Sequence, residues 1–332
     1  MKKIYFIIPY FENIKTGGTL YDLNVSIYLK NNFIYIIKKM VNHKISIIKL
    51  VKLINSIPKG SIILLDGLIA NRLKHHIKLK NNINLLVHNP RSLEYSTNKF
   101  SNIKEYFDER RSFNRADKII TVSNYMKKEV LRYLNHHKKI FVAAPGIDKK
   151  YFLKMESNSS NNLLSVGNII PRKGYITLIK ALSQIKDDWY LNIVGSTELD
   201  KKYFVELTLL IKKYKLENKI SFLGMLPNKE IVKYIKMSKI FVLPTTYEGF
   251  GMSILECSIA GLKIITTDLP VLREVLKGKN TVFIKKNDIK ALSKAIRINL
   301  NNESNIYKSI YDKSKYNWST TAKIIKRAMN EF

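Results

Sequence analysis

Two glutamates, Glu248 and Glu256, flank a glycine-rich turn that directly follows an apolar run at 239–244. Glycines let the backbone approach a ligand closely, and amides at the start of the helix predicted near Met252 suit a phosphate or a sugar hydroxyl. A carboxylate at Glu256 can accept two hydrogen bonds from a diol such as a ribose. The alternative is structural, because a glutamate in a first helical turn also interacts favourably with the helix dipole.

A second candidate site follows the apolar run at 163–167. Asn168, Arg172 and Lys173 lie beside Gly174 in the loop that enters a predicted helix. Two cations next to a helix N-terminus can hold a pyrophosphate. A solvated loop in a lysine-rich protein is the alternative interpretation.

Two further candidates follow apolar runs nearer the start of the chain. Gly17 and Gly18 open a predicted helix after the run at 4–8, and this turn either faces a phosphate or is a plain tight turn. It lacks the G-x-G-x-x-G spacing, which argues against a nicotinamide-type dinucleotide site. His88 ends the run at 83–88 and is either catalytic or a structural strand-end histidine.

Strands and helices that alternate along the whole chain must position these candidates. Apolar runs typical of buried strands lie at 4–8, 62–66, 83–88, 118–123, 140–144, 163–167, 191–195, 219–224, 239–244, 262–267 and 281–284. Helical patterns lie between several of them, at 20–30, 124–134, 177–185 and 229–237. Apolar strands that alternate with helices predict parallel sheets covered on both faces. Ligands bind such sheets beyond the carboxyl ends of the strands, where all four candidates lie.

The chain of 332 residues is long enough for two such domains. We place a first domain at 1–155 and a second at 156–315, with the polar stretch at 154–162 as the linker. A last helix at 316–332 lies past the final strand and could pack back on the first domain.

The net charge of +32 arises from 58 Lys and Arg against 26 Asp and Glu. An anionic partner would explain this charge, and so would compositional bias, since the chain is also rich in Asn and Ile. The charge forms no dense basic tract, which argues against a nucleic-acid binder. The segment 43–59 carries lysines among Ile and Leu, which indicates either a helix on an anionic membrane or a core-packed helix with a solvated face.

The remaining composition favours a cytoplasmic protein. Cys257 is the one cysteine, so no intrachain disulfide can form, which fits a reducing cytosol. No apolar stretch reaches 18 residues, so no transmembrane helix is predicted, and we interpret the run at 4–8 as a strand and not as a signal peptide. Localisation is therefore expected to be cytoplasmic, with peripheral contact with an anionic membrane left open.

The segment EGFGMSILE, with its glutamates eight residues apart, resembles the E-x7-E motif of retaining GT-B glycosyltransferases, in particular family four. Other segments resemble parts of the same family in the same order: ADKIITVSNYMKKEV, VAAPGID, SVGNIIPRKGYITLIKAL, GLKIITTDLPVLREVL and NWSTTAKIIK. The resemblance covers most of residues 1–330. It implies an α/β fold of two doubly wound, Rossmann-like domains facing a cleft. It also implies that a sugar moves from a nucleotide-diphosphate donor to an unidentified glycan, lipid or small molecule with retention of anomeric configuration.

The resemblance further implies roles for individual residues. Glu256 would hold the ribose, Glu248 the transferred sugar, and Lys173 with Arg172 the diphosphate. His88 would line the cleft near the sugar, which makes it the fourth catalytic candidate. The implied donor-binding residues are Gly18, Asn168, Gly249, Phe250, Gly251, Met252 and Glu256.

One departure from the family concerns the diphosphate. Family members often have an arginine where this chain has Asn168, so the resemblance leaves open which residues share the charge of the diphosphate. No D-x-D sequence occurs, and we expect cations and helix ends in place of a metal. No cofactor is expected, because the nucleotide-sugar is a co-substrate.

The expected partners are a UDP-, GDP- or ADP-sugar and an unidentified acceptor, without nucleic acid. The alternative is a non-catalytic protein that kept the fold and binds a nucleotide or an anionic membrane, since fold analogy alone does not prove activity.

Overall fold

The computed structural model describes residues 3–11, 16–32, 36–73, 79–94, 99–153, 160–276, 280–302 and 316–330. The chain forms two compact units, one of Met1–Ile147 with Asp312–Phe332 and one of Asp148–Tyr311. Each unit contains a six-stranded parallel sheet, which confirms the predicted α/β class. The linker expected at 154–162 lies largely outside the described residues, so a boundary near residue 155 stays a prediction.

The first unit is built around one sheet. Its strands are β1 (Ile4–Tyr10), β2 (Ile36–Asn42), β3 (Ile62–Asp66), β4 (Ile83–Val87), β5 (Lys118–Thr121) and β6 (Ile140–Val142). The helices between them are α1 (Gly17–Asn32), α2 (Ile47–Asn55), α3 (Gly67–Ala70), α4 (Lys99–Arg115) and α5 (Asn124–Leu131). The parallel strand order is β2-β1-β3-β4-β5-β6, which reverses direction between β1 and β3. Ligand crevices in open parallel sheets form at such a switch point.

The second unit repeats this plan. Its strands are β7 (Asn162–Val166), β8 (Tyr190–Val194), β9 (Ile220–Phe222), β10 (Ile240–Leu243), β11 (Lys263–Thr267) and β12 (Thr281–Ile284). Its helices are α6 (Tyr175–Leu182), α7 (Lys201–Lys213), α8 (Asn228–Met237), α9 (Met252–Ile259), α10 (Pro270–Val275) and α11 (Ile289–Asn301). The order β12-β11-β10-β7-β8-β9 reverses between β7 and β10. The loops after these two strands are therefore the switch-point loops of this unit.

The last helix, α12 (Trp318–Asn330), packs within the first unit. The buried Trp318 ring meets Tyr21 of α1 edge-on, with ring centroids 5.5 Å apart. Thr321 Oγ1 donates a hydrogen bond to the Ala144 carbonyl at 2.6 Å. These contacts fasten α12 to α1 and to the segment that follows β6.

The strand predictions succeeded wherever a strand is apolar on both faces. All eleven predicted strands are present, but the sequence analysis missed β2. This edge strand carries the adjacent exposed lysines Lys38 and Lys39, so it shows neither an apolar run nor a clean alternation.

Helix α2 has its apolar face in the core. Leu50 and Ile54 are fully buried, whereas Lys49 and Lys52 are exposed. The segment 43–59 thus contains a core-packed helix with a solvated basic face, one of the two forms considered for it. None of the helices in the described part of the chain is both long and apolar enough to cross a membrane.

Candidate functional site

The switch-point loops of the second unit are joined by hydrogen bonds. The carbonyl of Arg172, after β7, accepts bonds from Thr246 N at 2.7 Å and Thr245 Oγ1 at 2.9 Å, both after β10. Ser253 Oγ, in the first turn of α9, donates to the Val166 carbonyl at the end of β7 at 2.8 Å. The chain segments that carry the candidate residues are therefore held against one another.

Two glycines allow this close approach. Gly174, which precedes α6, has a φ of +75°, and an added Cβ would lie 2.1 Å from the Pro244 carbonyl oxygen. Gly251, which precedes α9, has a φ of +90°. Residues other than glycine rarely adopt this left-handed backbone conformation. The glycines of both candidate loops are therefore needed for the backbone conformation, whatever role they have toward a ligand.

Glu248 lies at the centre of these loops and is only 6% exposed. Lys173 Nζ donates to its Oε1 at 2.6 Å, and Arg172 Nη1 lies 3.5 Å from its Oε2. Burial alone would raise the pKa of Glu248, but the charges of Lys173 and Arg172 outweigh burial and hold that pKa below its usual value. The structure thus brings three of the four catalytic candidates together as an ionised cluster.

The two cations are not equivalent. Lys173 is buried, and its ammonium lies 2.6 Å from Glu248 Oε1. Arg172 Nη1 also donates to the Tyr247 carbonyl at 3.1 Å. Lys173 is consequently the closer of the two to the carboxylate that it neutralises.

Glu256, on α9, lies in a different environment from Glu248. Burial and the neighbouring Asp148 raise the pKa of Glu256 to about 8, although Lys150 and a hydrogen bond with Tyr151 act in the opposite direction. The side chain is therefore largely protonated at neutral pH, and a ligand that favours the carboxylate would displace the proton.

Asn168 connects two loops of the second unit. Its Oδ1 accepts a hydrogen bond from Ser196 N at 3.1 Å, and Ile169 N donates to the Ser196 carbonyl at 2.9 Å. This contact fixes the loop after β7 relative to the loop after β8. A donor-binding role for Asn168 stays a prediction, as do those of the turn residues Gly249, Phe250, Gly251 and Met252.

In the first unit, His88 lies beside two carboxylates at the switch point. Its Nε2 is 2.9 Å from Oδ1 of Asp22, on α1, and 3.3 Å from Oδ2 of Asp66, at the end of β3. Both aspartates are buried, and the His88 side chain is 16% exposed. Gly18 packs against the imidazole, since an added Cβ would lie 3.1 Å from His88 Cδ2.

The electrostatics of this cluster favour a charged imidazole. Burial opposes the charge on His88, but Asp22 and Asp66 outweigh burial and raise the pKa of His88 to about 10. Burial raises the pKa of Asp22 as well. Among the described residues, these three side chains also offer ligand atoms within 4.8 Å of one another. Because Nε2 faces two carboxylates and the pKa of His88 is raised, we expect Nε2 to carry a proton, which a metal would have to displace in order to bind there.

A buried carboxylate also fixes the segment that follows His88. Glu109 of α4 accepts hydrogen bonds from Arg91 N at 2.5 Å and from Ser92 Oγ at 2.5 Å. Asn71 Nδ2 donates to the same side chain at 3.2 Å. Glu109 thereby links α4 to the turn directly beyond the histidine.

Four residues of these contacts were not among the candidates predicted from sequence: Asp22, Asp66, Tyr151 and Glu109. Asp66 is the last residue of an apolar strand. A search for polar residues at the carboxyl ends of strands, where ligands bind, would therefore have found it. Asp22 offered no comparable signal, because a single acidic residue within a helix pattern is ordinary.

Two protein families match consecutive parts of the chain. The family described as Glycosyl transferases group 1 matches residues 149–318, and the family described as Glycosyltransferase Family 4 matches residues 64–151.

Curated relatives carry the same kind of description. The O-antigen chain mannosyltransferase RfbU of Salmonella typhimurium is 27% identical over 225 residues, which are 67% of this chain and 62% of that protein. An uncharacterized glycosyltransferase of Haemophilus influenzae is 26% identical over 303 residues, which are 89% of this chain and 81% of that protein. The match to RfbU therefore spans less than two thirds of that relative's length.

Solved structures show the same fold. Sucrose-phosphate synthase from Thermosynechococcus elongatus has a TM-score of 0.75 at 16% identity, covering 99% of this chain and 95% of that one. HepE from Anabaena, solved in complex with UDP and glucose, has a TM-score of 0.71 at 15% identity, covering 99% and 96%. The GT-B fold predicted above is confirmed.

Proposed function

Because the chain belongs to the glycosyl transferases group 1 family, we propose that it transfers a sugar from a nucleotide-diphosphate donor to an acceptor with retention of anomeric configuration. The observation that carries this proposal is the buried contact between Lys173 and Glu248 at the switch point of the second unit. The bond that breaks joins a diphosphate to a sugar. A cation at that position suits the diphosphate, and a carboxylate suits the sugar hydroxyls.

The proposed mechanism assigns one task to each charged residue of the second unit. Negative charge grows on the diphosphate as its bond to the sugar breaks, and Lys173 with Arg172 would stabilise it. Glu248 would accept hydrogen bonds from sugar hydroxyls, which orients the anomeric carbon. Glu256 would accept the ribose hydroxyls, and charge-assisted bonds of this type contribute about 1.5–3 kcal/mol each.

The identity of the substrates is part of the proposal. RfbU is described as an O-antigen chain mannosyltransferase, and the HepE structure contains UDP and glucose. These names support a glycan as acceptor and a UDP-, GDP- or ADP-sugar as donor. The roles of Gly18 toward phosphate and of His88 toward the sugar rest on the family resemblance.

A thermal-shift panel of UDP, GDP, ADP and their sugars tests the donor assignment. A ligand present at about 100 times its dissociation constant adds about 2.7 kcal/mol to stability, so the preferred nucleotide should raise the unfolding temperature. Matched Glu256→Gln protein should lose most of that shift. If no nucleotide stabilises the wild-type protein, the proposed donor site is wrong.

A non-catalytic nucleotide-binding protein is the second candidate function. Such a protein would be stabilised by the same nucleotides as the enzyme but would not turn over the donor. Release of free sugar from the stabilising donor therefore separates the two functions. The charged cluster around Glu248 favours the enzyme, because binding of a nucleotide alone does not require a carboxylate at the sugar position.

Contact with an anionic membrane remains a proposal of its own. Leu50 and Ile54 of α2 are fully buried, so the core face of the helix cannot insert into a membrane. Attraction would come chiefly from exposed lysines such as Lys49 and Lys52, beside the exposed Ile48. Flotation with anionic vesicles at low and high salt tests this contact. Binding that is lost in a Lys49→Glu, Lys52→Glu variant would support it, and no binding at low salt would exclude it.

A further inference from the structure

The His88 ring uses one nitrogen for two carboxylates and leaves the other for a ligand. Its Nε2 contacts Asp22 and Asp66. Its Nδ1 has no hydrogen-bond partner within the described ranges, and the side chain keeps 16% of its surface exposed. The contacts therefore orient the ring with Nδ1 as the nitrogen available to a substrate.

Asp22 is an acidic residue in the interior of the first unit. It lies on α1, is fully buried, and its Oδ2 has no hydrogen-bond partner among the described residues. A buried, half-satisfied carboxylate costs free energy unless a cation compensates for it. The group that can do so is His88, at 2.9 Å.

We propose that Asp22 is a positioning residue that keeps His88 as an imidazolium, so that Nδ1–H always donates a hydrogen bond to an oxygen of the ligand at the first unit's switch point. Such an oxygen belongs to a hydroxyl, a phosphate or a carboxylate. An imidazolium has two N–H donors and no acceptor. His88 therefore recognises or stabilises an oxygen and does not act as a general base.

The other groups around the ring agree with this assignment. Tyr21 meets the imidazole edge-on at 5.0 Å between ring centroids. Its hydroxyl donates to the Ala143 carbonyl at 2.8 Å, and burial together with Asp22 raises its pKa above the usual value, so it stays neutral. Asp22 and Asp66 are thus the charged groups that face His88 from α1 and β3, and they hold its pKa at about 10.

The ring also has little freedom to turn away. Gly18 lies against the imidazole so closely that even a methyl group would reach 3.1 Å from Cδ2. The carboxylates hold the adjacent ring nitrogen, Nε2. The position of the ring and the charges around it therefore favour the same form, the imidazolium, which carries a proton on each ring nitrogen.

Nitrogen-15 NMR of ring-labelled histidine tests the proposal on the full chain. The chain has six histidines, and His88→Gln assigns the signal of His88. We expect wild-type His88 to stay protonated through pH 8. Asp22→Asn should lower its pKa by about 1–3 units, the effect of losing a nearby opposite charge. Glu129→Gln, which removes a buried carboxylate from α5, is the matched control and should change nothing.

Two results would overturn the proposal: a wild-type His88 that titrates near its ordinary value, or an Asp22→Asn protein with an unchanged His88 pKa. If Asp22→Asn does not fold, the titration is made on Asp22→Ser, which also removes the carboxylate that lies 2.9 Å from His88 Nε2. A His88 pKa that does not fall in this second variant overturns the proposal as well.

A kinetic measurement separates positioning from a merely structural role, and only this arm rests on the proposed function. For Asp22→Asn, kcat/KM should fall as pH rises through the lowered His88 pKa and recover toward wild type at lower pH. The wild-type pH profile should not show this fall in kcat/KM over the same pH range. Uniform loss at every pH would contradict positioning through charge. Because the NMR titration needs no substrate, it decides the state of His88 even if sugar transfer is disproved.

Discussion

Lys173 Nζ and Glu248 Oε1 lie 2.6 Å apart although the residues are 75 positions apart in the chain. The contact exists because β7 and β10 are neighbours at a topological switch point, and because Gly174 lets one loop approach Pro244 of the other. A donor phosphate that reaches Lys173 must share or replace this carboxylate. The ion pair would therefore couple the proposed diphosphate site to the proposed sugar site.

Lys173→Ala should lower kcat by about 10²–10³, the usual effect of losing one donor to developing negative charge. Arg172→Ala should cost less, because Arg172 divides its guanidinium between Glu248 and the Tyr247 carbonyl. Steady-state kinetics with one donor compare the two variants. Lys201→Ala, an exposed lysine of the same unit, is the control and should leave kcat unchanged.

Either of two outcomes would contradict this ranking. Near-normal turnover in Lys173→Ala would mean that the diphosphate lies on another loop. Greater damage in Arg172→Ala would mean that the balancing charge comes from Arg172.

Nucleotide binding should release protons at pH 7. The pKa of Glu256 is raised to about 8, so the free side chain is largely protonated, and ribose hydroxyls that donate to the carboxylate would lower that pKa. Affinity should therefore rise between pH 6 and pH 8 and level off above. Calorimetry in buffers of different ionisation enthalpy measures the released protons.

Glu256→Gln is the control for this linkage. It should bind the nucleotide more weakly, without the pH dependence and without proton release. A binding enthalpy that is independent of the buffer in the wild-type protein would remove the ribose role from Glu256.

Trp318→Ala should destabilise the first unit by about 3–5 kcal/mol, the usual cost of truncating a buried aromatic side chain. Trp318 is 3% exposed and packs against Tyr21, so its loss leaves a cavity between α12 and α1. Hydrogen exchange of amides in α1 reports on this unit alone. Ile298→Ala, an exposed change on α11, should leave these amides as they are. Unchanged protection of α1 in Trp318→Ala would show that α12 is not needed there.

Sugar transfer should proceed in EDTA. Lys173 and Arg172 supply positive charge at the proposed diphosphate site, where it would replace that of a metal ion. Assays with and without EDTA, followed by added magnesium or manganese, measure the dependence. Activity that disappears in EDTA and returns with either ion would show that a metal takes part.

The sequence predicted the fold well because most strands are apolar on both faces. Strand β2 escaped detection since Lys38 and Lys39 interrupt its pattern at the sheet edge. The predicted start of α5 at residue 124 is confirmed, and there Ser123 Oγ accepts a hydrogen bond from Met126 N.

The sequence predicted single residues of the site but not their contacts. Glu248 and Lys173 were found from a motif and a loop, yet their pairing depends on which strands are neighbours, which local patterns do not encode. His88 was found without Asp22 and Asp66, because three separate elements bring them together. The elevated pKa of Glu256 depends on burial and on Asp148, which lies more than a hundred residues away in sequence.

Donor turnover followed by proton NMR tests the central claim most directly. The protein is incubated with UDP-, GDP- and ADP-sugars in turn, and the spectra record free nucleotide and the anomer of the sugar as it is first released. We predict that wild-type protein turns over one of these donors, that the first sugar released keeps the donor's anomeric configuration, and that Glu248→Gln binds the nucleotide but turns over at a small fraction of the wild-type rate. Nucleotide binding without turnover of any donor would contradict the proposed transferase, and a first-formed sugar of opposite configuration would contradict retention.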